Sequence, residues 1–270
     1  MTGERNVLFE VTDRVALITL NRPEALNATT DELYQELSAI IRELATRTDV
    51  GCAILTGAGR GFCAGADLKA RRDDMTPLER RDRHRWILRD VLHPLFQLEK
   101  PVIAAVNGPA AGAGMNLALA CDFVIASEQA SFVQAFAKVA LVPDLGGLWF
   151  LARVVGINKA KELCFTARKV GAEEALALGI ANQLVPHDQL LEAARKLAQT
   201  IAAGSPTAQA MTKTLLNRAG SVTLDQMLDY ESYAQTIAYL TPEYEEGVSA
   251  FREKRSPDFA AAAAAAAARR

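Results

Sequence analysis

One carboxylate, Asp144, stands in a stretch of sequence that otherwise holds little acid–base chemistry. Residues 132–147 read FVQAFAKVALVPDLGG, and Lys138 is the only other charged residue among them. Two interpretations fit an aspartate in this setting. It can belong to a tight turn or cap a helix that begins near Gly147. It can also be an ionisable group at the edge of an apolar pocket, where its pKa rises and it becomes a stronger base.

Two glycine-rich loops could supply the partner for such a base. GFCAGADL (61–68) and NGPAAGAGMNLALACD (107–122) each follow an apolar run and open into helix-forming residues. The start of a helix leaves backbone N–H groups unpaired and carries partial positive charge. Two such starts that converge would place two donors on one oxygen, which is an oxyanion hole. Either loop alone is explained equally well by tight strand-to-helix packing.

The elements that must position these loops alternate between strand and helix over the first two thirds of the chain. Thr29 and Glu32 predict a capping box for an amphipathic helix over 29–47. A second helical stretch runs to about Lys100 and is bent or broken at Pro94, and 147–166 is predicted as one helix. Apolar runs predict strands at 7–11, 14–20, 52–57, 101–108 and 123–127.

Beyond Pro186 the pattern predicts helices with little strand between them, over 188–203, 206–217, 223–239 and 242–254. The chain is therefore predicted to be an α/β protein with three parts: a core over 1–187, a helical region over 188–259 and a low-complexity tail over 260–270. Nine consecutive alanines fill that tail. It carries no functional argument.

Composition excludes several classes of function. The 270 residues are 50% hydrophobic and 23% charged with a net charge of −2, which is typical of a soluble globular protein. The Arg-rich segment 69–85 also carries acids, so it predicts a solvated helix face and no nucleic-acid site. The four cysteines and three histidines form no metal-binding spacing. With neither signal peptide nor membrane span in the pattern, we expect a cytoplasmic protein without metal.

Taken together, the motifs resemble the enoyl-CoA hydratase/isomerase (crotonase) superfamily. FCAGADL, NGPAAGAGMNLALACDFVIAS, VPDLGG and GAEEALALGIANQLVP occur in the family's order and spacing, and the likeness runs from residue 17 to residue 259. The resemblance implies a spiral of ββα turns, a C-terminal helical trimerisation region and a homotrimer or hexamer. It also implies acyl-CoA thioester substrates, no separate cofactor, and an oxyanion hole made by the amides of Ala66 and Ala113.

The same resemblance bears on the chemistry. Two glutamates activate water in the family's hydratases, and this chain has Asn116 and Phe136 at their positions. Neither side chain takes up a proton at neutral pH. Asp144 matches the catalytic aspartate of dienoyl-CoA isomerases and, more closely, of ring-epoxyphenylacetyl-CoA isomerases. It would move a proton from C2 to C4 of a 3-enoyl thioester, while Phe136 and the apolar residues 139, 141 and 142 exclude water. Asn116 would be satisfied at a helix start or orient Asp144 or a substrate group.

The resemblance also predicts where coenzyme A binds. Segment 70–98 would line the acyl pocket, and Asp67 would tie down its own loop. Phe251 and Lys254, three residues apart on one helix face, would reach the adenine end from a neighbouring subunit. The remaining predicted contacts are Arg22, Ala25, Leu26, Ala64, Asp67 and Leu68.

Three alternatives remain open from the sequence. One is a hydratase-like member of the family. Another is an aryl-CoA dehalogenase, in which Asp144 is the nucleophile and Phe136 and Trp149 flank an aromatic ring. The third is a non-catalytic binding paralogue. The sequence has no basic stripe of the kind that binds nucleic acid, which argues against this alternative.

Overall fold

The main sheet has six strands in the order β1-β2-β3-β4-β6-β9, in a computed structural model that describes residues 5–70 and 74–267. β1 pairs antiparallel with β2, and every later pair in this sheet is parallel. Buried apolar runs such as β3 and β4 are typical of parallel strands covered on both faces. Within the described residues the strands are β1 (Val7–Thr12), β2 (Val15–Leu20), β3 (Cys52–Gly57), β4 (Val102–Val106), β5 (Pro109–Ala111), β6 (Phe123–Ser127), β7 (Ser131–Val133), β8 (Val170–Gly171) and β9 (Gln183–Val185).

A small second sheet, β5-β7-β8, lies where the second glycine loop leaves β4. Short 3₁₀ turns occur at Pro23–Ala25, Ala135–Val139 and His187–Gln189. The helices are α1 (Asp31–Thr46), α2 (Pro77–Ile87), α3 (His93–Gln97), α4 (Ala113–Leu119), α5 (Gly147–Val155), α6 (Ile157–Thr166), α7 (Ala172–Ala177), α8 (Leu190–Ala202), α9 (Pro206–Leu216), α10 (Leu224–Tyr239), α11 (Pro242–Glu253) and α12 (Phe259–Ala267).

The strand–helix alternation and the helical last third are confirmed, but two helix ends were predicted wrongly. The N-cap of α1 is Thr30, whose hydroxyl accepts from the Leu33 amide, so there is no capping box from Thr29 and Glu32. Thr29 is buried and its amide donates to Gly65 in the first glycine loop. The predicted helix over 147–166 is two helices, because Gly156 has φ +78° and ψ 157° between them.

The helical stretch predicted to bend or break at Pro94 is not broken there. It runs without interruption from α2 through a π-helical segment, Leu88–Leu92, into α3. Proline has no N–H, so the helical bond from residue 94 to the carbonyl of Asp90 cannot form. Ser38 of α1 donates its hydroxyl to that carbonyl at 2.7 Å instead, which joins this helical segment to α1.

Apolar side chains cover both faces of the main sheet. One face packs against α1, α3 and α4, while the other packs against α8 through residues that include Leu190, Ala194 and Ala198. The helix just beyond residue 187 thus packs on the sheet, and the predicted division of domains at that point stays a prediction. All four cysteines are free; Cys121 is partly buried and the other three are buried.

Parts of two predicted segments lie outside the described residues. These are residues 71–73 of the Arg-rich segment and residues 268–270 of the alanine tail. The described alanines, 260–267, form most of α12. A search of the described helices finds none with the length and apolarity needed to cross a membrane.

Candidate active site

The two glycine loops lie side by side and are bonded to each other. Ala111 donates its amide to the Cys63 carbonyl at 2.9 Å, and Cys63 donates to the Pro109 carbonyl at 3.1 Å. Gly114 packs directly on this contact, since a Cβ placed there would stand 2.0 Å from the Cys63 carbonyl oxygen. Only glycine permits so close an approach of two backbones.

This packing brings the two predicted oxyanion donors together. Gly65 has φ +90°, and a Cβ built on it would lie 3.6 Å from the Ala113 nitrogen. Ala113 is the first residue of α4, so its N–H has no helical acceptor. Within the described residues, neither Ala66 nor Ala113 donates a backbone hydrogen bond. Both residues line one cavity, and both amides are free to donate to a group bound there.

That cavity has a volume of about 330 Å³ and Asp144 also lines it. The carboxylate follows the 3₁₀ turn Ala135–Val139 and precedes α5. Its Oδ1 is buried with no hydrogen-bond partner among the described atoms, and its Oδ2 lies 3.8 Å from Nδ1 of His84. Burial raises the pKa of Asp144, and the nearby His84 and Arg83 offset only part of that rise.

The capping interpretation of Asp144 is wrong. Gly146 is the N-cap of α5 and no side chain caps this helix. The turn interpretation holds for the backbone alone, because the Asp144 carbonyl accepts from the Gly147 amide at 2.8 Å. The turn thus leaves the carboxylate free to face the cavity.

Asn116 holds the backbone of Asp144 rather than its carboxylate. Its Nδ2 donates to the Asp144 carbonyl at 2.8 Å, and its Oδ1 accepts from Nε2 of Gln134 at 2.7 Å. Asn116 is fully buried and is not among the residues that line the cavity, so the structure gives it no contact with the substrate. Gln134, which the sequence did not single out, completes this amide relay.

The apolar residues after Phe136 shield the site in part. Phe136, Val139 and Leu141 line the cavity; Phe136 is 8% exposed, whereas Val139 and Leu141 are 47% and 58% exposed. Val142 is 72% exposed and does not line the cavity. Two buried residues that line the cavity beside Asp144, Leu145 and Ile87, are also placed to exclude water.

Two further residues at the cavity were missed by sequence reasoning. Tyr34 of α1 is buried there, and burial raises its pKa above the ordinary value. A hydroxyl on the otherwise apolar inner face of α1 was the available signal. His84 of α2 had no signal, because its helix is charged all round. Arg83, His84 and Ile87 come from the predicted pocket segment 70–98.

Two of the predicted coenzyme A residues line the cavity, whereas Arg22, Leu26 and Asp67 do not. Ala64 and Leu68 line it, and Leu26 accepts the Ala64 amide at 2.9 Å. Ala25 ends the 3₁₀ turn before Leu26 and does not line the cavity.

Arg22 and Asp67 form an ion pair at 3.0 Å. Asp67 also accepts the amides of Lys69 and Ala70, which is the loop-tying arrangement that we expected of it. Partial burial alone would raise the pKa of Asp67, but Arg22 and these amides outweigh it and lower the pKa. Arg22 also donates to the Ala28 carbonyl, so it joins two segments of the loop region.

Three other predicted residues lie away from the cavity lining. Phe251 is 86% exposed on α11. Lys254 follows the end of α11 with φ +56°, so the prediction that it shares a helix face with Phe251 is wrong. Trp149 packs edge-on against Phe96 and Phe150 and does not flank Phe136 at the cavity, which removes the geometric support for the dehalogenase alternative.

Comparison with known proteins identifies the family. A family model described as enoyl-CoA hydratase/isomerase matches residues 10–262. The chain is 42% identical to a 1,2-epoxyphenylacetyl-CoA isomerase of Escherichia coli (strain K12), over 94% of this chain and 97% of that protein. It is 38% identical to a short-chain-enoyl-CoA hydratase of Clostridium acetobutylicum, over 93% and 95%.

Solved structures agree. An enoyl-CoA hydratase from Bacillus anthracis aligns with a TM-score of 0.89 at 37% identity, over 93% of this chain and 98% of that one. A second enoyl-CoA hydratase structure, from Streptomyces coelicolor A3(2), gives a TM-score of 0.90 at 36% identity, over 96% and 95%. The chain has the crotonase fold and acts on acyl-CoA thioesters. It belongs to the enoyl-CoA hydratase/isomerase family.

Proposed function

We propose that this protein shifts a double bond within an acyl-CoA thioester, converting a 3-enoyl-CoA to the conjugated 2-enoyl-CoA or isomerising a ring-epoxide analogue. One observation carries the proposal. Asp144 is the only carboxylate among the described residues that line the cavity, and the cavity also holds the free amides of Ala66 and Ala113.

The chemistry follows from these three groups. The thioester oxygen accepts hydrogen bonds from the two amides, which stabilise the negative charge that develops when a proton leaves C2. Asp144 takes that proton and returns it to C4, so nothing is added and one base is enough. Its raised pKa makes it a stronger base than an exposed aspartate. The uncapped Oδ1 leaves the carboxylate free to move between the two carbons.

Hydration, the activity named in several relatives, is the competing function. It requires a group that activates water against the double bond. Asn116 and Phe136 stand where the family's hydratases carry glutamates, and neither side chain transfers protons at neutral pH. The side-chain amide of Asn116 is also already hydrogen-bonded to the Asp144 carbonyl and to Gln134. We therefore expect hydration to be very slow.

A panel of substrates separates these functions. The protein is incubated with a 3-enoyl-CoA, with crotonyl-CoA and with a ring-epoxide phenylacetyl-CoA, and the products are read by mass and ultraviolet absorbance. A conjugated product of unchanged mass from the 3-enoyl-CoA is expected. A product from crotonyl-CoA heavier by one water, formed with kcat above roughly 10 per second, would contradict the proposal. Turnover of the ring epoxide would identify the acyl group. This substrate is included because the chain is 42% identical to a 1,2-epoxyphenylacetyl-CoA isomerase.

We further propose that the chain assembles as a trimer or as a hexamer of two trimers. Large apolar side chains are more than half exposed on α9, α10 and just after α10, including Leu216, Leu228, Ile237 and Leu240. Such a surface is typical of a subunit interface. In that assembly Phe251 and Lys254 would meet the coenzyme A bound by a neighbour. Sedimentation at micromolar concentration tests this, and a monomer would contradict it.

A further inference from the structure

His84 connects the carboxylate of Asp144 to solvent. Its ring lines the cavity on one side, its Nδ1 lies 3.8 Å from the Asp144 Oδ2, and its side chain is 37% exposed. Within the described residues the His84 ring has no other hydrogen bond or ion pair. No other polar contact therefore competes with Asp144 for the ring, and the 3.8 Å separation exceeds a hydrogen bond by less than 1 Å.

Other charged groups near this pair are occupied or differently placed. Arg83, the neighbouring cation on α2, pairs with Asp31 of α1 at 2.5 Å. The buried hydroxyl of Tyr34 faces the cavity from α1, and burial raises its pKa, so it keeps its proton at neutral pH. Lys138 lines the cavity from the 3₁₀ turn and is exposed. His84 is thus the group that lies next to Asp144, reaches water and carries a ring nitrogen able to accept a proton.

A double-bond shift does not require such a group, because Asp144 can return to C4 the proton that it takes from C2. We propose that His84 exchanges the proton held by Asp144 with solvent during turnover. This inference rests on the proposed isomerase function.

The exchange balances in two steps. The Asp144 carboxyl gives its proton to the neutral imidazole and becomes a carboxylate, and the imidazolium then gives that proton to water. A solvent proton returns along the same path and is delivered to C4. The product therefore carries a solvent hydrogen at C4 whenever exchange precedes delivery.

Isotope incorporation tests the proposal. The wild-type protein converts 3-hexenoyl-CoA in deuterium oxide, and the product is analysed at low conversion for deuterium at C4 by mass spectrometry and NMR. The quantity compared is deuterium per product molecule, which does not depend on how fast a variant turns over. We expect labelled product from the wild type.

The variant His84→Leu should give product with about tenfold less label or lower, because a positioned proton-transfer group typically contributes about 10²–10⁴-fold to its step. In His84→Ala, added imidazole should restore the label in proportion to its concentration, since the exposed site admits it. Arg85→Leu, on the exposed side of the same helix, should keep the wild-type label. His84→Gln replaces His84→Leu if the latter unfolds, as judged by melting temperature.

The outcomes are distinguishable. Equal labelling in the wild type and the His84 variants would overturn the exchange role and leave the isomerase function intact. Unlabelled wild-type product would do the same, because Asp144 would then keep its proton throughout. Failure of the wild type to form conjugated product, read by absorbance in the same sample, would overturn the proposed function and this inference together.

Discussion

The surroundings of the Asp144 carboxylate raise its pKa. One of its oxygens has lost water and gained no hydrogen bond from the described residues, and His84 lies too far away at 3.8 Å to bond the other. Burial without compensation stabilises the neutral acid relative to the anion. A group of this kind opposes folding slightly at neutral pH and is useful only as a base.

Asp144→Asn should therefore separate activity from stability. Asparagine keeps the size of the side chain but cannot take a proton, so isomerase kcat should fall by about 10²–10⁴-fold. The melting temperature should stay the same or rise, because the costly buried charge is gone. Acyl-CoA binding should change little, since the amides of Ala66 and Ala113 remain. Full activity in a stable variant would show that the base lies elsewhere.

The pH dependence of the proposed isomerase activity follows from the same burial. Asp144 must be ionised to act in that role, so activity should fall as pH decreases through its raised pKa, above the ordinary value of about 3.9. When protonated, the His84 ring lowers this pKa, so His84→Gln should move the acid limb to higher pH. Profiles of kcat/KM against pH measure the limb, with His187→Gln as control. An unmoved limb would exclude the interaction.

Stability should vary with pH in the opposite sense to that of an ordinary ion-paired aspartate. Because folding raises the Asp144 pKa, the native state binds the proton more readily than the unfolded chain does. Its contribution to stability therefore falls as pH rises from the ordinary value of about 3.9 through the raised pKa.

Among the elements, the pairing of the two glycine loops depends on one residue that carries no chemistry. Gly114→Ala would place a methyl group 2.0 Å from the Cys63 carbonyl oxygen, so the loops must separate. Overpacking of this kind typically costs about 1–3 kcal/mol, and displaced oxyanion amides should lower kcat by about 10²-fold or more. Chemical unfolding and kcat measure the two effects.

Gly171→Ala is the matched control. No atom lies within 4 Å of a Cβ at this position, and the residue is exposed. Its unfolding free energy should stay within about 0.5 kcal/mol of the wild type, with unchanged kcat. Equal effects at both glycines would mean that loop contact does not shape the site.

Which elements could be predicted depended on how local their causes are. Pro94 disturbs its helix because it has no N–H, and the loop glycines indicate turns, so these features could be predicted from the sequence. The cap of α1 was misplaced by one residue because Thr29 is drawn into a bridge with Ala66, a contact between distant segments. Lys254 itself adopts a left-handed backbone conformation and ends α11 without a glycine. Nothing in the sequence signals this.

For the molecule as a whole, what escaped prediction was the meeting of separate elements at the cavity. Asp144, Ala66 and Ala113 came from motifs, but Tyr34 and His84 reach the same space because α1 and α2 pack beside the loop of Asp144. Binary patterning predicts that these helices are amphipathic or charged. It does not predict which polar side chain on each will face the cavity.

An ion pair that is largely buried links α9 to the sheet core. Nζ of Lys213 on α9 lies 2.7 Å from Asp122 and donates to the Lys100 carbonyl, and Lys213 is 8% exposed. Lys213→Met should cost about 3 kcal/mol in unfolding free energy, because it leaves the partly buried Asp122 without its charged partner. Adding Asp122→Asn should recover part of that loss.

A surface ion pair provides the comparison. Arg47→Met breaks two exposed ion pairs, with Glu43 and with Asp49, and should cost much less than Lys213→Met. Denaturant unfolding measures the free energy of unfolding of the wild type, Lys213→Met, Lys213→Met combined with Asp122→Asn, and Arg47→Met. Similar losses for Lys213→Met and Arg47→Met would show that the buried pair does not fasten α9.

The buried cysteines can report on local opening of the structure. Burial raises the pKa of Cys52 to about 12 and that of Cys63 to about 11, and only a thiolate attacks an alkylating reagent. At neutral pH these thiols should therefore be modified only from opened conformations. Cys63 lies within the first of the two paired glycine loops, whereas Cys52 lies on β3. If a bound acyl-CoA protects Cys63 more than Cys52, the loops open independently of the sheet. Alkylation kinetics followed by mass spectrometry would then measure how often the paired loops separate.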